Sequence, residues 1–469
     1  MATDDGRPKV GLLGLTLEFY ERSSSELRDG REAWVRDEVL PALEPVADVV
    51  FSGAAFTREA VAERVAECEE AGCDALLVML LTYSPSQIAL PELKATNLPV
   101  IVWNTQELYG IGDDFTGTLM VENHGVHGTQ DLANVLLRGG VDFAYVTSHL
   151  RDDGALEELT DFFAAAAAVR KLRQAKLGIL GYPFPGMGDF ALDTTHMVGT
   201  LGCDWTAMTM DEYVRRAQEA PDDAIEELAT EYRETYEVAD EITDADLLAT
   251  ARVEVALRGM VEDRGLDGFT YQFLAFGEGE RTPTVPFVPA SRLMGEGLGF
   301  GGEGDLIAAA GSALLNWLQP PASFTEMFTV DYEGNSLFLS HMGEANVSMA
   351  REDRKVPLAV RQRKITPTRE RQLSLVTVFR PGPATLCALT VGPDRDWRFV
   401  VTAGEILDYG PVDSMQVPHC KFAPDGDVRD FLTGYATAGG PHHCAVCFGD
   451  ARRRIRMAAE LLGADYREV

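Results

Sequence analysis

Lysine is scarce in this chain, and acidic side chains greatly outnumber basic ones. The 469 residues carry 41 basic against 74 acidic side chains, a formal net charge of −33. The only lysines are Lys9, Lys94, Lys171, Lys176, Lys355, Lys364 and Lys421. A chain this acidic is poorly suited to the phosphates of nucleic acids or to anionic membrane surfaces. We therefore expect no nucleic-acid partner.

The chain also lacks any run of about 18 or more apolar residues, the length that crosses a membrane. Its first residues, MATDDGRPKVGLL, are neither basic enough nor apolar over enough residues to form a signal peptide. A hydrophobic content of 46% and a charged content of 25% are typical of globular proteins. We expect a cytoplasmic protein without a membrane partner, long enough for two or three domains.

Cysteines are few, and their number is odd. Seven are spread from Cys68 to Cys447, and in an intracellular protein we expect mostly reduced thiols. Cys444 and Cys447 form a CxxC motif beside His442 and His443, which could be a zinc or redox element. A second CxxC motif is missing, so the favoured interpretation is a pair of buried cysteines on a strand. No GxGxxG motif or P-loop follows a strand, which argues against a nucleotide site.

Short apolar runs alternate with helical patterns up to about residue 150. The runs are VGLLGL at 10–15, ADVVF at 47–51, DALLVML at 74–80, PVIVW at 99–103 and FAYVT at 143–147. This alternation predicts a parallel sheet with helices on both faces. A second α/β region opens with KLGILGY at 176–182, contains an acidic helical stretch at 211–264, and includes GFTYQFL at 268–274 as a predicted strand.

The pattern changes after about residue 320. Short strands with polar turns between them indicate an antiparallel barrel or sandwich: SLFLSHM, LSLVTVF, ATLCALTV, RFVVTAGEIL and PHHCAVCF. The predicted fold is therefore α/β, with two Rossmann-like parallel-sheet domains at 1–173 and 174–319 and a β-barrel domain at 320–469.

Residues 299–346 hold two glutamates and a histidine in settings that suit metal ligands. Glu303 follows a glycine-rich stretch at the start of an apolar helical pattern, Glu326 lies in the predicted strand SFTEMFTV, and His341 ends an apolar run. Two converging carboxylates repel each other unless a cation or a shared proton lies between them. His442 and His443 follow a glycine-proline turn and could add a ligand. Mixed oxygen and nitrogen ligands suit Mn²⁺ or Co²⁺ better than structural zinc.

The motifs GFGGEGD, SFTEMFTVDYEGNSLFLSHM and TAGGPHH resemble, in order and spacing, the metal-binding motifs of the L-arabinose isomerase family, which is grouped with L-fucose isomerase. Weaker similarity extends through WNTQELYG, ENHGVHGTQ and GMGDF. The resemblance implies that Glu303, Glu326, His341 and His443 hold Mn²⁺, Co²⁺ or another divalent metal, and that the two glutamates are the acid/base pair. It also implies a fucose isomerase-like fold and a homo-oligomer, trimer or hexamer, with the pocket formed between subunits.

The resemblance extends to a set of expected substrate-binding residues: Gln106, His124, His127, Asp189, Phe328 and His442. Three departures from the family pattern concern the substrate rather than the metal. His124 stands where the family typically carries glutamine, Phe328 stands where it usually carries tyrosine, and LEFYER replaces a glutamine-histidine-leucine-tyrosine pattern. Because a site built to bond one hydroxyl discriminates strongly, such changes can retarget it. L-arabinose is therefore one candidate beside other pentoses, L-fucose-like hexoses and D-galactose.

The function that these features predict is a metal-dependent aldose-ketose isomerase that acts on a small sugar through an enediol or enediolate. The alternative is a sugar-binding or regulatory relative that keeps the fold without turnover. Such a relative would bind sugar without exchanging solvent hydrogen into it.

Overall fold

The computed structural model describes residues 7–23, 26–277, 281–361, 364–409 and 415–469. Contacts between residues divide the chain into two compact units, Met1–Arg170 and Lys171–Val469. The finer predicted boundary between residues 319 and 320 stays a prediction. Among the helices of the described ranges, none combines the length and the apolar character needed to cross a membrane.

The first unit contains a five-stranded sheet in the order β2-β1-β3-β4-β5, in which all paired strands are parallel. The prediction of a parallel α/β sheet is confirmed here. Every residue of β3 is buried, because helices cover both faces of a parallel sheet and select continuous apolar runs. The strands are β1 Lys9–Leu15, β2 Asp48–Val50, β3 Ala75–Leu80, β4 Val100–Asn104 and β5 Phe143–Thr147. The helices are α1 Glu18–Ser23, α2 Glu26–Trp34, α3 Leu40–Leu43, α4 Arg58–Glu70, α5 Leu90–Ala95, α6 Gly117–Glu122, α7 Gly125–Gly139 and α8 Glu157–Gln174, with a π-helical turn at Val35–Val39.

The second unit begins with a four-stranded parallel sheet in the order β10-β9-β6-β7. This sheet confirms the second predicted α/β region. Its strands, and β8 in a separate small sheet, are β6 Lys176–Leu180, β7 Asp204–Met208, β8 Glu237–Val238, β9 Gly268–Tyr271 and β10 Gly299–Gly301. The helices are α9 Thr194–Thr200, α10 Met210–Glu219, α11 Asp222–Thr235, α12 Asp244–Arg264, α13 Phe273–Gly277, α14 Phe287–Gly295 and α15 Leu306–Leu318. The acidic stretch predicted as helical thus forms three helices, α10 to α12.

The predicted strand GFTYQFL is too long. Strand β9 ends at Tyr271, and helix α13 begins at Phe273. The side-chain oxygen of Gln272 accepts a hydrogen bond from the backbone N–H of Leu274 at 3.2 Å. A local side-chain bond of this kind competes with strand pairing, which ends the strand and starts the helix.

The rest of the second unit is built around a closed antiparallel barrel, in the order β15-β18-β11-β12-β17-β16, which the pairing of β15 with β16 closes. The barrel prediction is confirmed. A further strand, β19, pairs with β16 in parallel. The strands are β11 Ala322–Asp331, β12 Ser336–Ser340, β13 Pro357–Val360, β14 Leu373–Leu375, β15 Gly382–Val391, β16 Trp397–Ile406, β17 His419–Pro424, β18 His443–Phe448 and β19 Asp465–Glu468. The helices are α16 Val428–Thr437 and α17 Arg452–Leu462.

The first half of one predicted barrel strand, LSLVTVF, lies outside the barrel. Only Leu373–Leu375 is a strand, and it pairs with β13 in the three-stranded sheet β14-β13-β8. Leu373 and Leu375 pack with residues of helices α11 and α12 in a separate core. Phe379, at the end of the run, packs into the barrel core, and Val378 forms a single bridge to His419 on β17. The whole run is buried, but its partners lie far away in the sequence and no local pattern reveals them.

Candidate metal centre

Three neighbouring barrel strands deliver the predicted ligands of the C-terminal region to one place. Glu326 on β11 pairs directly with His443 on β18. On its other side Glu326 pairs with Ser340 on β12, the residue before His341. Side chains of directly opposed residues lie on the same face of a sheet. The strand register therefore brings together residues that are far apart in the sequence.

Glu303 reaches the same place from a strained turn between β10 and α15. Its φ is +59°, a left-handed conformation that non-glycine residues rarely adopt. The turn is held by the backbone N–H of Gly304, which donates to Thr270 Oγ1 at 3.0 Å, and by the N–H of Phe184, which donates to the carbonyl of Glu303 at 2.9 Å. A non-glycine residue with a left-handed backbone costs about 1 kcal/mol or more in strain, so a glutamate at this position indicates a functional role.

Glu303, Glu326, His442 and His443 each place one possible ligand atom within 4.8 Å of the others. His443 Nε2 lies 3.1 Å from Glu326 Oε1 and 3.6 Å from Glu303 Oε2. His442 Nε2 lies 3.8 Å from an oxygen of each glutamate. Glu303 Oε2 and His443 Nε2 are buried and have no aligned hydrogen-bond partner among the described residues. Buried polar atoms of this kind call for a partner, and a divalent cation would supply one for all of them.

Carboxylates outside the cluster fix the orientation of two imidazoles. His443 Nδ1 lies 2.8 Å from Asp305 Oδ2, and His341 Nδ1 lies 2.6 Å from Glu344 Oε2. The Nδ1 atom of each ring is thereby occupied, which leaves Nε2 as the ligand atom. His341 Nε2 is likewise buried without a hydrogen-bond partner in the described part of the chain. This is the arrangement expected of histidines that bind metal.

Both orienting carboxylates are themselves held. Asp305 is the N-cap of α15, where its Oδ1 accepts from the backbone N–H of Ala308 at 2.9 Å. Glu344 accepts a hydrogen bond from the Tyr271 hydroxyl at the end of β9. Asp305, Glu344 and Tyr271 are all at least 98% buried. The sequence analysis did not identify any of the three.

Aromatic rings pack against the two histidines. Phe324 lies edge-on to His341 and His443, with ring centroids 4.8 and 5.0 Å apart. Phe190 stacks on His443 at 5.4 Å with an interplanar angle of 12°. These contacts restrict the imidazoles to one orientation and keep water from one side of the cluster. GMGDF carried the resemblance, but nothing in the motif itself pointed to the role of Phe190.

The cluster shifts the pKa values of its members in opposite directions. Burial raises the pKa of Glu303, but the imidazoles of His442 and His443 together lower it to about 2. Burial also raises the pKa of Glu326, and His443 brings it below its usual range. Burial lowers the pKa of His443, whereas the carboxylates of Asp305, Glu303 and Glu326 raise it to about 11. Both glutamates are therefore ionised at neutral pH.

The structure brings together five of the predicted residues around this cluster. Glu303, Glu326, His442 and His443 lie in it, and the role of His341 as a ligand stays a prediction. His341 lies outside that group, 6.4 Å from His443 between ring centroids. The fifth, Asp189, accepts from the backbone N–H of His442 at 3.0 Å and lies 2.5 Å from its Nδ1.

The remaining predicted substrate residues fall in two groups. Phe328 lines a pocket beside the cluster together with Glu326 and His442. Gln106, His124 and His127 belong to the first unit, and their role stays a prediction. There, His124 Nε2 lies 3.0 Å from His127 Nδ1 at the start of α7, and the Tyr83 ring stacks on His127 at 4.6 Å.

The CxxC motif is not part of the cluster. Cys444 and Cys447 are three residues apart on β18, so their side chains point to opposite faces of the sheet. Both are buried free thiols, and burial raises the pKa of Cys447 to about 12. Such thiols are poor metal ligands and poor nucleophiles. The interpretation as buried strand cysteines is confirmed.

Two parallel α/β sheets, a closed antiparallel barrel and a carboxylate–imidazole cluster at the barrel strands define an α/β protein with a candidate metal centre. The sequence profile of the L-arabinose isomerase central domain matches residues 192–319, and that of the L-arabinose isomerase C-terminal domain matches residues 321–465. Together the two profiles cover more than half of the chain. The chain belongs to the L-arabinose isomerase family and is an isomerase.

Relatives are similar over most of their length but at low identity. The L-arabinose isomerase of Nocardioides sp. is 26% identical over 406 residues, which cover 84% of this chain and 80% of that protein. The L-arabinose isomerase of Acidothermus cellulolyticus is 25% identical over 414 residues, covering 85% and 81%. That of Anoxybacillus flavithermus is 26% identical over 450 residues, covering 92% and 86%. This chain is therefore a divergent member of the family.

Likeness to a solved sugar-binding protein is weak. A periplasmic solute-binding protein of Actinobacillus succinogenes with bound D-allose is 13% identical, covers 66% of this chain and 92% of its own, and has a TM-score of 0.14. A score this low supports no inference about function.

Proposed function

We propose that the chain is a metal-dependent aldose-ketose isomerase that converts L-arabinose or a related pentose or hexose to its ketose through an enediolate. The observation that carries the proposal is the convergence of Glu303, Glu326 and His443, in which Glu303 Oε2 and His443 Nε2 are buried and lack aligned hydrogen-bond partners among the described residues. A binding protein has no need to concentrate ionised carboxylates beside an oriented imidazole. The non-catalytic sugar-binding relative is therefore the second candidate.

The donor set fits a divalent cation of the Mn²⁺ or Co²⁺ type, because carboxylate oxygens and imidazole nitrogens are combined. Glu303, Glu326, His341 and His443 would hold it, with His442 within reach. When bound, the cation supplies Lewis-acid polarisation of two adjacent sugar oxygens.

The two glutamates carry out the proton transfers. Because the pKa of each is lowered, both are carboxylates at neutral pH and can accept a proton. One removes the hydrogen from the carbon next to the carbonyl and returns it to the neighbouring carbon, while the other moves the hydroxyl proton. Positioned acid/base groups of this kind contribute about 10²- to 10⁴-fold in rate. Asp189 holds His442 beside them, in position to bond a sugar hydroxyl.

We also propose the finer organisation that the resemblance implies. Domains at 1–173, 174–319 and 320–469 would assemble in a trimer or hexamer, and Gln106, His124 and His127 would line a substrate pocket. Light scattering of the purified protein tests the assembly. A monomer at micromolar concentration would contradict it.

The test of the proposed function is a metal-controlled screen for ketose. The full chain is treated with chelator, one sample is restored with Mn²⁺ or Co²⁺, and both are incubated with a panel of aldoses in deuterated water. We expect ketose, with deuterium incorporated, only in the restored sample. Sugar binding without ketose or deuterium would instead support the sugar-binding relative.

Gly302 leaves little room for a side chain beside His341. A methyl group at this position would lie 3.0 Å from His341 Nε2 and 3.1 Å from Phe324 Cζ. Gly302→Ala should therefore displace the imidazole and weaken divalent metal binding about 10-fold while the protein stays folded. Gly199→Ala is the matched control, because nothing lies within 4 Å of the methyl group it would add. Equal metal affinity in both variants, measured by titration calorimetry, would exclude His341 as a ligand.

Metal binding should release protons. In the metal-free protein the neighbouring carboxylates raise the pKa of His443 to about 11, so its imidazole is protonated at pH 7. A ligand histidine must be neutral, so each bound ion displaces at least one proton, and metal affinity falls as pH falls. Calorimetry at one pH in two buffers of different ionisation enthalpy measures the number released. A value near zero would show that His443 does not bind the metal.

The same pKa shift sets the sign of a stability effect in the metal-free protein. A histidine with a raised folded-state pKa stabilises the fold below its unfolded-state pKa of about 6.5. That contribution is lost as pH rises towards about 11.

A further inference from the structure

A pocket of about 440 Å³ opens beside the cluster, within the range of small-molecule sites. Glu326 and His442 line one part of it, and they are also members of the cluster. The rest is lined mostly by apolar residues: Met327, Phe328, Leu432, Tyr435, Ala436, Gly440 and Pro441. A substrate with its reacting carbons at the carboxylates would therefore extend its far end along an apolar wall.

A β-bulge directs Phe328 into this wall. On β11, Met327 pairs with Leu339 and Thr329 pairs with Phe338, so Phe328 has no partner on β12. An unpaired bulge residue bends the strand and re-aims its side chain, and bulges are frequent beside active sites. Phe328 is 47% exposed in spite of its apolar ring, which is the exposure expected of a wall residue that contacts substrate.

The lining side chains offer little to a hydroxyl group at the far end. Met327, Phe328, Leu432 and Pro441 have no hydrogen-bonding side-chain group apart from the weak sulfur acceptor of methionine. Tyr435 also lines the pocket, but its buried hydroxyl donates to the carbonyl of Pro441 at 2.7 Å. A sugar hydroxyl placed here would lose hydrogen bonds to water without replacement, whereas a methyl group would gain apolar contact.

We infer that this pocket selects aldoses whose far end is a methyl group, so that the substrate class is a 6-deoxyaldose rather than its 6-hydroxy counterpart. The inference rests on the proposed isomerase function and names the substrate of that same site. Phe328 is the specificity-determining residue, because it is the unpaired residue of the bulge, is 47% exposed and lines the pocket two positions after Glu326. A single methyl or hydroxyl group at such a wall changes specificity by about 10- to 200-fold.

The experiment compares sugars that differ only at the sixth carbon. The Mn²⁺-loaded full chain is assayed for kcat/KM with D-fucose against D-galactose, with L-fucose against L-galactose, and with L-arabinose, which lacks that carbon. In the series that turns over, kcat/KM for the 6-deoxy sugar should exceed kcat/KM for its 6-hydroxy partner by about 10-fold or more. Equal or higher kcat/KM for the 6-hydroxy sugar overturns the inference while the isomerase function stands.

The other outcomes separate the inference from the function on which it rests. Turnover of L-arabinose alone would show that the wall takes no sixth carbon, which also overturns the inference. No ketose from any aldose in the full panel, with metal bound, would instead remove the isomerase function.

Substitutions in the wall test the residue assignment. Phe328→Tyr introduces a hydroxyl and should bring the ratio of kcat/KM for the two sugars towards one, and Leu432→Gln should do the same from α16. Tyr332→Phe is the control, because Tyr332 lies on the same hairpin with 59% exposure and outside the pocket. An unchanged ratio in both folded wall variants would contradict the assignment.

Discussion

Glu326→Gln should lower kcat/KM for ketose formation by about 10³-fold while the protein remains folded. Glutamine keeps the shape of the side chain but cannot accept the substrate proton, and it removes the negative charge that lies 3.1 Å from His443 Nε2. Activity is measured as ketose formation at saturating metal, and folding by circular dichroism and thermal unfolding. Metal content of the same samples separates loss of proton transfer from loss of the ion.

The control for this variant is Glu333→Gln, which makes the same chemical change in the exposed turn after β11. It should leave kcat/KM within a factor of about two, since surface substitutions rarely matter. If Glu326→Gln retained turnover comparable to this control with its metal bound, Glu326 could not be a member of the acid/base pair.

His443→Ala should abolish tight binding of the divalent ion and, with it, turnover. The imidazole is 98% buried between three carboxylates, so its removal leaves those carboxylates without the group that faces all of them. Metal affinity is measured by calorimetry and turnover by ketose formation. His196→Ala is the control. It removes an imidazole of α9 that stacks on Trp397, and this variant should bind the ion normally.

Asp305→Asn extends this test to the residue behind the ligand. It keeps the size of the N-cap but loses the carboxylate that faces His443 Nδ1, so metal affinity should fall by about 10- to 100-fold. Unchanged metal affinity in both His443→Ala and Asp305→Asn would mean that the ion binds elsewhere. Weaker binding in His443→Ala alone would limit Asp305 to helix capping.

Several features of the fold could be predicted from local sequence. The runs around β1, β3, β4 and β6 are recognisable within one or two residues, because strands buried on both faces are continuously apolar, and the edge strand β5 is recognisable from its β-branched and aromatic residues. The barrel strands β15, β16 and β18 were recognised for a similar reason. Strand β17 and helices α16 and α17 were not, since their polar faces interrupt the apolar pattern. LSLVTVF was assigned to the barrel, although its partner is β13.

The sequence singled out candidate ligands of the site but not the residues that support them. Glu303, Glu326 and His443 stood out as charged or polar residues in apolar or glycine-rich surroundings. Nothing in the local sequence marks Asp305 or Glu344 as part of the site. Only the folded chain shows that each also orients an imidazole. Only the folded chain also shows that His442 lies within 4.8 Å of Glu303, Glu326 and His443.

By itself, the sequence determined the succession of α/β, α/β and barrel regions, the buried free cysteines and the ligand candidates, because these follow from the spacing of apolar residues along a short stretch. The tertiary structure decided which residues meet. The register of β11 between β12 and β18 sets Glu326 against His443, and the bulge in β11 turns Phe328 into the pocket. The register that sets Glu326 against His443 joins strands more than 100 residues apart in the sequence, so no local pattern could specify it.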